Sequence, residues 1–458
     1  MEDTSREIIE TLLQQQRQFF ATHRTKEVTF RLEMLKKFEL AIKMHEARLK
    51  TAFMTDLHKS PAEAYMTEIG LVLGEIRFQL KHLKSWAKPK SARTPLALFP
   101  STGRVIHEPL GVALIMAPWN YPFMLLMNAV AGAISAGCCA ILKPSPYTPN
   151  VAKVMQEIIA ETFDPGYLAM VQGSRKVNEI LLAQRFDFIF FTGSPAVGKV
   201  VMKAASEHLT PVVLELGGKS PCIVDYDANI DIAAKRIAFG KNINAGQTCI
   251  APDYLFVHHS VKDELIRKID KNVREMYGSD TQKCPVFPRI VNLQAFDRLE
   301  KLMQHGVIRY GGKTDRADRF IEPTIIDDVK PTYPIMQEEI FGPLLPVMAF
   351  NDIDEVISYI NNNEKPLAFY YFGKKWKAKY ILQKTTSGGG CINDTLIHFA
   401  HQNLPFGGVG NSGLGKYHGK QSFLAFSNQR SIVQTTTLID LPFRYAPFKY
   451  INFIKRLL

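Results

Sequence analysis

The stretch Phe188-Ile-Phe-Phe-Thr-Gly-Ser-Pro-Ala-Val-Gly-Lys199 runs from a short apolar segment through a Gly/Ser/Pro turn into Val200–Glu207, where apolar residues recur at helical spacing. That order predicts a buried strand, a tight turn and a helix. Moving upstream, Leu114–Met116, Ala140–Leu142 and Leu168–Val171 are similar short apolar runs, separated by the helical patterns Met124–Ala136, Val151–Thr162 and Val177–Ala183. Strands alternating with helices predict a parallel sheet with crossover helices, whose ligands sit at the carboxyl ends of the strands. The turn itself reads GxxxxG rather than GxGxxG, and Gly198-Lys199 is followed by Val200 where a P-loop needs a hydroxyl. It fits a pyrophosphate seat at a helix N-terminus or an ordinary turn, and its spacing alone does not choose.

A second α/β unit begins after Pro211-Val-Val-Leu-Glu-Leu-Gly-Gly218, with strand-like runs at Ile223, Leu255, Ile325 and Val347 and helices near Glu264–Met276 and Asp354–Asn361. Ahead of the first unit, about 80 residues read as helices, one of them starting at Ser60-Pro-Ala-Glu63 with a capping serine and a proline at the first position. Thr94–Phe99 and Arg104–His107 read as two extended arms around a turn. At 458 residues, two or three domains are expected. Six scattered cysteines with no CxxC pair argue for a reducing compartment and against a disulfide framework or zinc, so no metal is expected. The charged N-terminus lacks a secretion signal and no apolar run is long enough to span a membrane, so a cytoplasmic protein is expected. The net charge of +12 is concentrated in Arg77–Arg104 and from Lys416 onward. Solvated surface is the plain reading. Anionic lipid or an acidic partner is the sharper one, and without a recognition motif nucleic acid is not expected.

Several polar residues stand beside these strand ends. Cys249 lies in the loop Asn242–Tyr254, between a helical pattern and a strand; as a lone cysteine it is as well explained as a small buried hydrophobe. Asn120, in Ala117-Pro-Trp-Asn-Tyr-Pro122, can donate to an oxyanion or serve turn geometry. Lys143 ends a strand and suits a ribose or phosphate, or plain surface. Glu215 interrupts an apolar run, where desolvation raises a carboxyl pKa toward that of a usable base, unless it is a strand-end ion pair. Glu338-Glu339 precede an aromatic, Phe341, and a turn.

Taken together, Pro118-Trp-Asn-Tyr-Pro122, Leu142-Lys-Pro-Ser145, Phe191-Thr-Gly-Ser194, Leu214-Glu-Leu-Gly-Gly-Lys219, Gly246-Gln-Thr-Cys249, Glu339-Ile-Phe-Gly-Pro343 and Pro405-Phe-Gly-Gly408 follow the order seen in the aldehyde dehydrogenase superfamily. The chain resembles that superfamily from roughly Arg6 to Thr435. Cys249-Ile-Ala-Pro-Asp-Tyr254 and the segment Gly407–His418 look most like its class 3, fatty-aldehyde-type branch. The resemblance implies an α/β fold of two doubly wound parallel-sheet domains, a Rossmann-like cofactor domain and a catalytic domain, plus a small β bridging or oligomerisation domain. The corresponding division is 1–80 and 108–215 for NAD(P) binding, 216–390 for catalysis, 81–107 and 391–435 for bridging, and 436–458 for a basic aromatic tail.

By the same resemblance Cys249 is the nucleophile, forming a thiohemiacetal and then a thioester. Asn120 and the Cys249 N–H hold the oxyanion. Glu215 activates the hydrolytic water, with Glu339 left open as a partner in base duty, and Gly246-Gln-Thr248 is expected to be flexible backbone that lets the thiol approach and then make room for water. For the cofactor, Trp119 and Lys143 lie along the adenosine half, Gly193, Ser194 and Gly198 at the pyrophosphate turn, Glu339 at the nicotinamide ribose and Phe341 beside it. Relatives that prefer NAD often carry Glu three residues after the lysine; here that residue is Pro146, so use of NADP as well as NAD is expected. The substrate pocket is expected to draw on Tyr65, Tyr121, Thr395, Phe406 and His418. A homodimer is implied. The tail Pro442–Leu458 mixes aromatics and cations without an acid, so it either packs near the substrate entrance or touches anionic membrane peripherally, a short amphipathic helix after Pro447 serving either role. Activity on medium- or long-chain aliphatic, or aromatic, aldehydes is expected. A coenzyme A-acylating enzyme and an inactive binding protein of the same fold are the alternatives, disfavoured by Glu215 and by the intact Cys249, Glu215 and Asn120 set.

Overall fold

The computed structural model describes residues 3–447, 450–452 and 455. The strands in chain order are β1 (Lys90–Ala92), β2 (Ser101–Pro109), β3 (Val112–Met116), β4 (Cys139–Lys143), β5 (Leu168–Met170), β6 (Phe188–Gly193), β7 (Val212–Leu216), β8 (Pro221–Val224) and β9 (Tyr254–His258). There follow β10 (Val307–Tyr310), β11 (Thr314–Asp315), β12 (Phe320–Ile321), β13 (Thr324–Asp327), β14 (Leu344–Phe350), β15 (Ala368–Phe372), β16 (Gly389–Ile392), β17 (Gly413–Leu414) and β18 (Ser427–Thr435). One sheet has the order β17-β7-β6-β3-β4-β5 and another β10-β13-β14-β9-β8-β15-β16. Each is parallel except at one edge, where β17 runs against β7 and β10 against β13.

The expected α/β architecture is present, and its physical cause is visible in β3 and β4. Every residue of these strands is buried, as a parallel sheet covered by helices on both faces requires. On one side the fully buried helix Pro122–Ala136 supplies the cover. Its Gly132 lets the helix Lys420–Ala425 pack closely against it, since a methyl there would lie 2.9 Å from Ser422 Cβ. The amino-terminal helix Arg6–Ala21 is tied to the sheet by Gln16 Nε2, which donates to the Ala140 carbonyl at 2.8 Å. In the first sheet the chain runs outward from β3 to β4 and β5, then returns to place β6 and β7 on the other side. The carboxyl ends of β3 and β6 therefore border a crevice, the expected ligand position in such a sheet.

Ser60 caps a helix as expected, its Oγ accepting from Glu63 N at 3.2 Å. That helix, Pro61–Ala64, passes through a π-helical turn, Tyr65–Ile69, into Gly70–Trp86. The first arm expected near Thr94–Phe99 is not a strand. Leu96–Leu98 forms a 3₁₀ turn, and the strand that pairs with β2 is Lys90–Ala92, with Lys90 opposite Val105. Pro95 and Pro100 lack the N–H groups a ladder needs. The third sheet, β1-β2-β18, is small and largely exposed. Of the segment 391–435, only β18 belongs to it; β16 adds to the second sheet and β17 to the first. Among the described residues no helix is long and apolar enough to cross a membrane. Thr436–Asp440 is exposed, Leu438 at 92%. Most of the short helix expected after Pro447 lies outside the described residues.

Candidate active site

Cys249 follows the helix Ile230–Asn242 by way of a 3₁₀ turn, Ile243–Gly246. Asn244 (φ 52°), Ala245 (φ 50°) and Gly246 (φ 72°) are all left-handed. Such a run is unfavourable for side-chain-bearing residues and persists where neighbours hold it. The neighbours are explicit here. Asn244 Nδ2 donates to the carbonyls of Asn120 (2.8 Å) and Gln247 (3.1 Å). The fully buried Gln247 amide donates to the carbonyls of Asn244 (3.1 Å) and Arg289 (3.0 Å) and accepts from Val291 N at 3.0 Å. A methyl on Gly246 would collide with the Gly342 carbonyl. The expectation of a flexible Gly246-Gln-Thr248 backbone is thus corrected: the segment is clamped from three sides.

The sulfur of Cys249, which is partly exposed, reaches a cavity of about 810 Å³. Asn120, 2% exposed, lines the same cavity, and its Nδ2 donates to the Gln247 carbonyl at 3.0 Å. Its amide is therefore fixed beside the cysteine loop. Behind it Lys59, fully buried, donates to the Asn120 carbonyl (3.2 Å) and to Glu68 (2.7 Å), and lies 4.3 Å from the centroid of the Tyr121 ring. Glu68 accepts in turn from Met124 N at 2.9 Å, and Glu63 accepts from Asn244 N at 2.8 Å. Tyr121 and Thr248 share a 2.7 Å hydroxyl contact. This polar network holds oxyanion donor and nucleophile loop to one another. Its members Lys59, Glu68 and Asn244 were not foreseen, because they meet partners far away in sequence; Thr248 was visible only as loop backbone and Glu63 only as a helix-start acid.

Glu215 projects from β7 into the cavity at 2% exposure, and neither carboxylate oxygen has a hydrogen-bond partner. Burial pushes its pKa well above the usual carboxylate value, opposed by the nearby charge of Lys416. Glu339 also lines the cavity. Burial, and then the neighbouring Asp253, push it up to about 8, while the Gly218 backbone N–H and then Lys219 and Arg298 pull the other way. Burial likewise raises the Cys249 thiol, as do Glu339 and Glu215. The resting site therefore favours neutral, protonated groups, and a thiolate there needs an acceptor for its proton.

On the crevice side the lining includes Trp119, Thr192, Gly193, Ser194, Glu339 and Phe341. Trp119 and Phe341 meet edge to face, ring centroids 5.5 Å apart. Ser194 caps the helix Pro195–Ser206, its Oγ accepting from Val197 N, so this helix start faces the cavity. Thr192 Oγ1 and Glu339 Oε1 are buried without a partner. Orphaned polar atoms around a helix start at a sheet switch point fit a dinucleotide. Lys143 and Gly198 stand apart from the cavity lining. Lys143 is buried at the end of β4 and donates to the Pro144 carbonyl at 2.8 Å. Burial lowers its pKa to about 8. Gly198 packs the helix onto β7, where a methyl would lie 2.6 Å from Leu216 Cδ2.

Of the residues expected at the substrate, Tyr121 and Phe406 line the cavity. Tyr65 lies outside it, 41% exposed, with Lys50 Nζ 5.3 Å from its ring centroid. Thr395 is turned away, its Oγ1 donating to the Arg236 carbonyl at 2.9 Å. His418 lies behind the wall, its ring 4.3 Å from that of Phe399. The apolar lining comes instead from Met66 and Leu71 around the π-turn, Leu125, Phe239, Leu396, Ile397, Phe399 and Ala400. A π-turn carries no sequence pattern that would have pointed to the first group. Among the described residues no cluster of His, Cys, Asp or Glu is arranged to hold a metal ion.

The switch-point crevice joined to a cysteine-bearing cavity defines an NAD(P)-dependent oxidoreductase. The aldehyde dehydrogenase family model matches residues 1–432, and the chain belongs to that family, in its class 3 branch. It is 48% identical over 97% of its length to 4,4'-diaponeurosporen-aldehyde dehydrogenase of Staphylococcus aureus, covering 98% of that protein. It is 46% identical to aldehyde dehydrogenase family 3 member A2 of Mus musculus, over 90% of this chain and 86% of the relative. The structure of a substrate-bound state of Staphylococcus aureus AldH superposes with a TM-score of 0.96 at 47% identity, covering 98% of this chain and 99% of that one. The chain is an enzyme that oxidises aldehydes.

Proposed function

We propose that this enzyme oxidises medium- and long-chain aliphatic aldehydes to carboxylic acids, with either NAD+ or NADP+. The observation that carries the substrate class is the cavity: about 810 Å³, with Cys249, Asn120 and Glu215 among a lining that is otherwise mainly apolar. The Cys249 proton passes to the Glu215 carboxylate, directly or through a water, as the sulfur bonds to the aldehyde carbon, and Glu215 releases that proton to solvent before the hydrolytic step. Asn120 Nδ2 and the Cys249 N–H receive the oxyanion. The bound cofactor supplies the acceptor for the hydride that leaves this carbon. Glu215 then takes a proton from water as the water oxygen attacks the thioester carbon; the carbon–sulfur bond breaks and the sulfur departs as the Cys249 thiolate. Glu215 suits this work because both its oxygens are free of partners. Glu339, flanked by Lys219 and Arg298, suits the ribose edge. Trp119, Gly193, Ser194 and Phe341 complete the cofactor side, with Lys143 and Gly198 contributing from behind it.

Each methylene buried in such a cavity contributes about 0.8 kcal/mol, or roughly a fourfold gain in kcat/KM. The test is a series of saturated aldehydes from acetaldehyde to hexadecanal. A rise with length up to a plateau supports the proposal, and a flat or falling series overturns the length preference. The name of the S. aureus relative favours a second candidate, 4,4'-diaponeurosporen-aldehyde, to be run in the same assay. Adding coenzyme A leaves the product a free acid if Glu215 directs water. Pro146, exposed after β4, offers no carboxylate against a 2′-phosphate, and a Canis lupus familiaris relative 43% identical over 96% of this chain is named a dimeric, NADP-preferring enzyme. Comparable turnover with the two cofactors is expected; negligible NADP+ activity overturns dual use.

A homodimer is supported by the third sheet. Among the described residues β18 pairs only with β2, so its other edge is free; Val433 on β18 is exposed, as are Leu96, Leu98 and Phe99 in the connection between β1 and β2. For the tail, packing over the subunit surface is the favoured reading and peripheral lipid contact the alternative, in a cytoplasmic protein. Equal co-sedimentation of the full chain and a chain ending at Leu441 with anionic liposomes supports packing; loss of binding on truncation supports lipid.

A further inference from the structure

The segment that follows β17 brings a second charge to the catalytic floor. β17 pairs with β7 so that Gly413 lies opposite Glu215 and Leu414 opposite Leu214, and the chain then turns back through Gly415 and Lys416. Lys416 Nζ is held by three backbone carbonyls, those of Gly407, Gly388 (3.2 Å) and Gly408 (3.2 Å). The lysine stem and the Glu215 carboxylate meet over one backbone atom. A methyl on Gly407 would lie 2.7 Å from Glu215 Oε1 and 2.9 Å from Lys416 Cδ. Gly407 therefore keeps the space between acid and cation open.

Three titratable groups face Glu215. Lys416 and Tyr417 come from the returning segment and Cys249 from the nucleophile loop. Its cross-strand neighbour on β6, Thr192, is uncharged. Burial raises the pKa of both the Tyr417 phenol and the Cys249 thiol, which leaves them neutral at rest. Lys416 is thus the cation among the described groups facing the base. An unpartnered carboxyl in a dry site retains its proton, and a nearby cation is what permits it to ionise.

We propose that Lys416 is a positioning residue for charge, whose ammonium keeps Glu215 ionisable and so sets the pH at which the thioester is hydrolysed. This rests on Glu215 being the hydrolytic base. In that step the water proton passes to the Glu215 carboxylate as the carbon–oxygen bond forms and the carbon–sulfur bond breaks. Lys416 transfers nothing; it stabilises the ionised form that receives the proton.

The test follows deacylation directly. The acyl-enzyme formed on Cys249 from p-nitrophenyl butyrate is followed by intact-mass spectrometry as it decays across the pH range, for wild type, Lys416→Met, Lys416→Arg and Glu215→Gln. The midpoint of the acidic limb is expected to rise by about one pH unit in Lys416→Met, with decay below that midpoint about tenfold slower, and to return toward wild type in Lys416→Arg. A uniform loss of rate with an unmoved midpoint would mean that the lysine only braces the backbone, and overturns the proposal. So does an unchanged profile in Lys416→Met. If Glu215→Gln still deacylates normally, the base assignment itself falls and the proposal falls with it; if Glu215→Gln is arrested while Lys416→Met is unmoved, only the proposal falls.

Discussion

Asn120 is held by three residues from two other parts of the chain: Lys59 and Asn244 at its carbonyl, and the Gln247 carbonyl at its side-chain amide. A donor fixed before substrate arrives stabilises developing charge without reorganisation. Asn120→Ala is expected to lower kcat by about 10²–10³-fold while the protein stays folded; steady-state kinetics with circular dichroism checks this, and a loss below tenfold would remove the oxyanion role. At this scale the sequence was partly legible. Glu215 stood out because a carboxylate interrupts an apolar strand, and Cys249 and Asn120 because they sit in polar loops after ordered segments. The structure brings all three to one cavity. Lys59 and Glu68 did not stand out, because their burial is created by partners more than 50 residues away such as Asn120 and Met124.

The π-turn Tyr65–Ile69 shows what one element contributes. It carries Glu68 inward to Lys59 and leaves Met66 and Thr67 on the cavity wall, so a single irregular turn serves both the oxyanion support and the substrate surface. π-turns often occur at functional positions for this reason. Removing one partner of a fully buried ion pair strands the other, at a cost of about 3–5 kcal/mol. Lys59→Met is expected to lose that much in urea unfolding, and Lys59→Met/Glu68→Leu to recover much of it without recovering activity. Equal stability of the single variant and wild type would contradict this. Among elements, the buried parallel strands were the most legible, since continuous apolar runs mark them. The exposed strand β10, with its mixed pattern, and the helices Leu293–Leu302 and Lys375–Lys384 were not. The hairpin near Arg93 was misplaced because the proline-bearing arm looked extended.

At the scale of the whole molecule, one contribution to acid sensitivity comes from two histidines, the buried His418 and the half-buried His398. Burial lowers the pKa of His398 to about 4 and of His418 to about 3, with His398 also depressing His418. Their folded-state pKa values lie below the unfolded value, so the unfolded chain binds protons first. The stability they contribute is full above about pH 6.5 and is lost as pH falls toward the folded values. Between about pH 6.5 and 4 the melting temperature of wild type is expected to fall relative to that of His418→Phe, whose ring can take the same place beside Phe399 and Phe406. Parallel slopes for the two proteins would contradict the assignment. The order of the sheets was only partly readable at this scale: strand–helix alternation fixed their class, but β17 pairs with β7 and β15 with β8, each far from its neighbours in sequence.

The contact between Gly246 and the Gly342 carbonyl has a consequence for protein engineering. The same two loops are also riveted by Lys219, which bonds to Asp253 on one and to the carbonyls of Ile335 and Glu338 on the other. Grafting the nucleophile segment 242–254 into another scaffold, or shuffling it between relatives, therefore requires 335–343 to travel with it as one cassette.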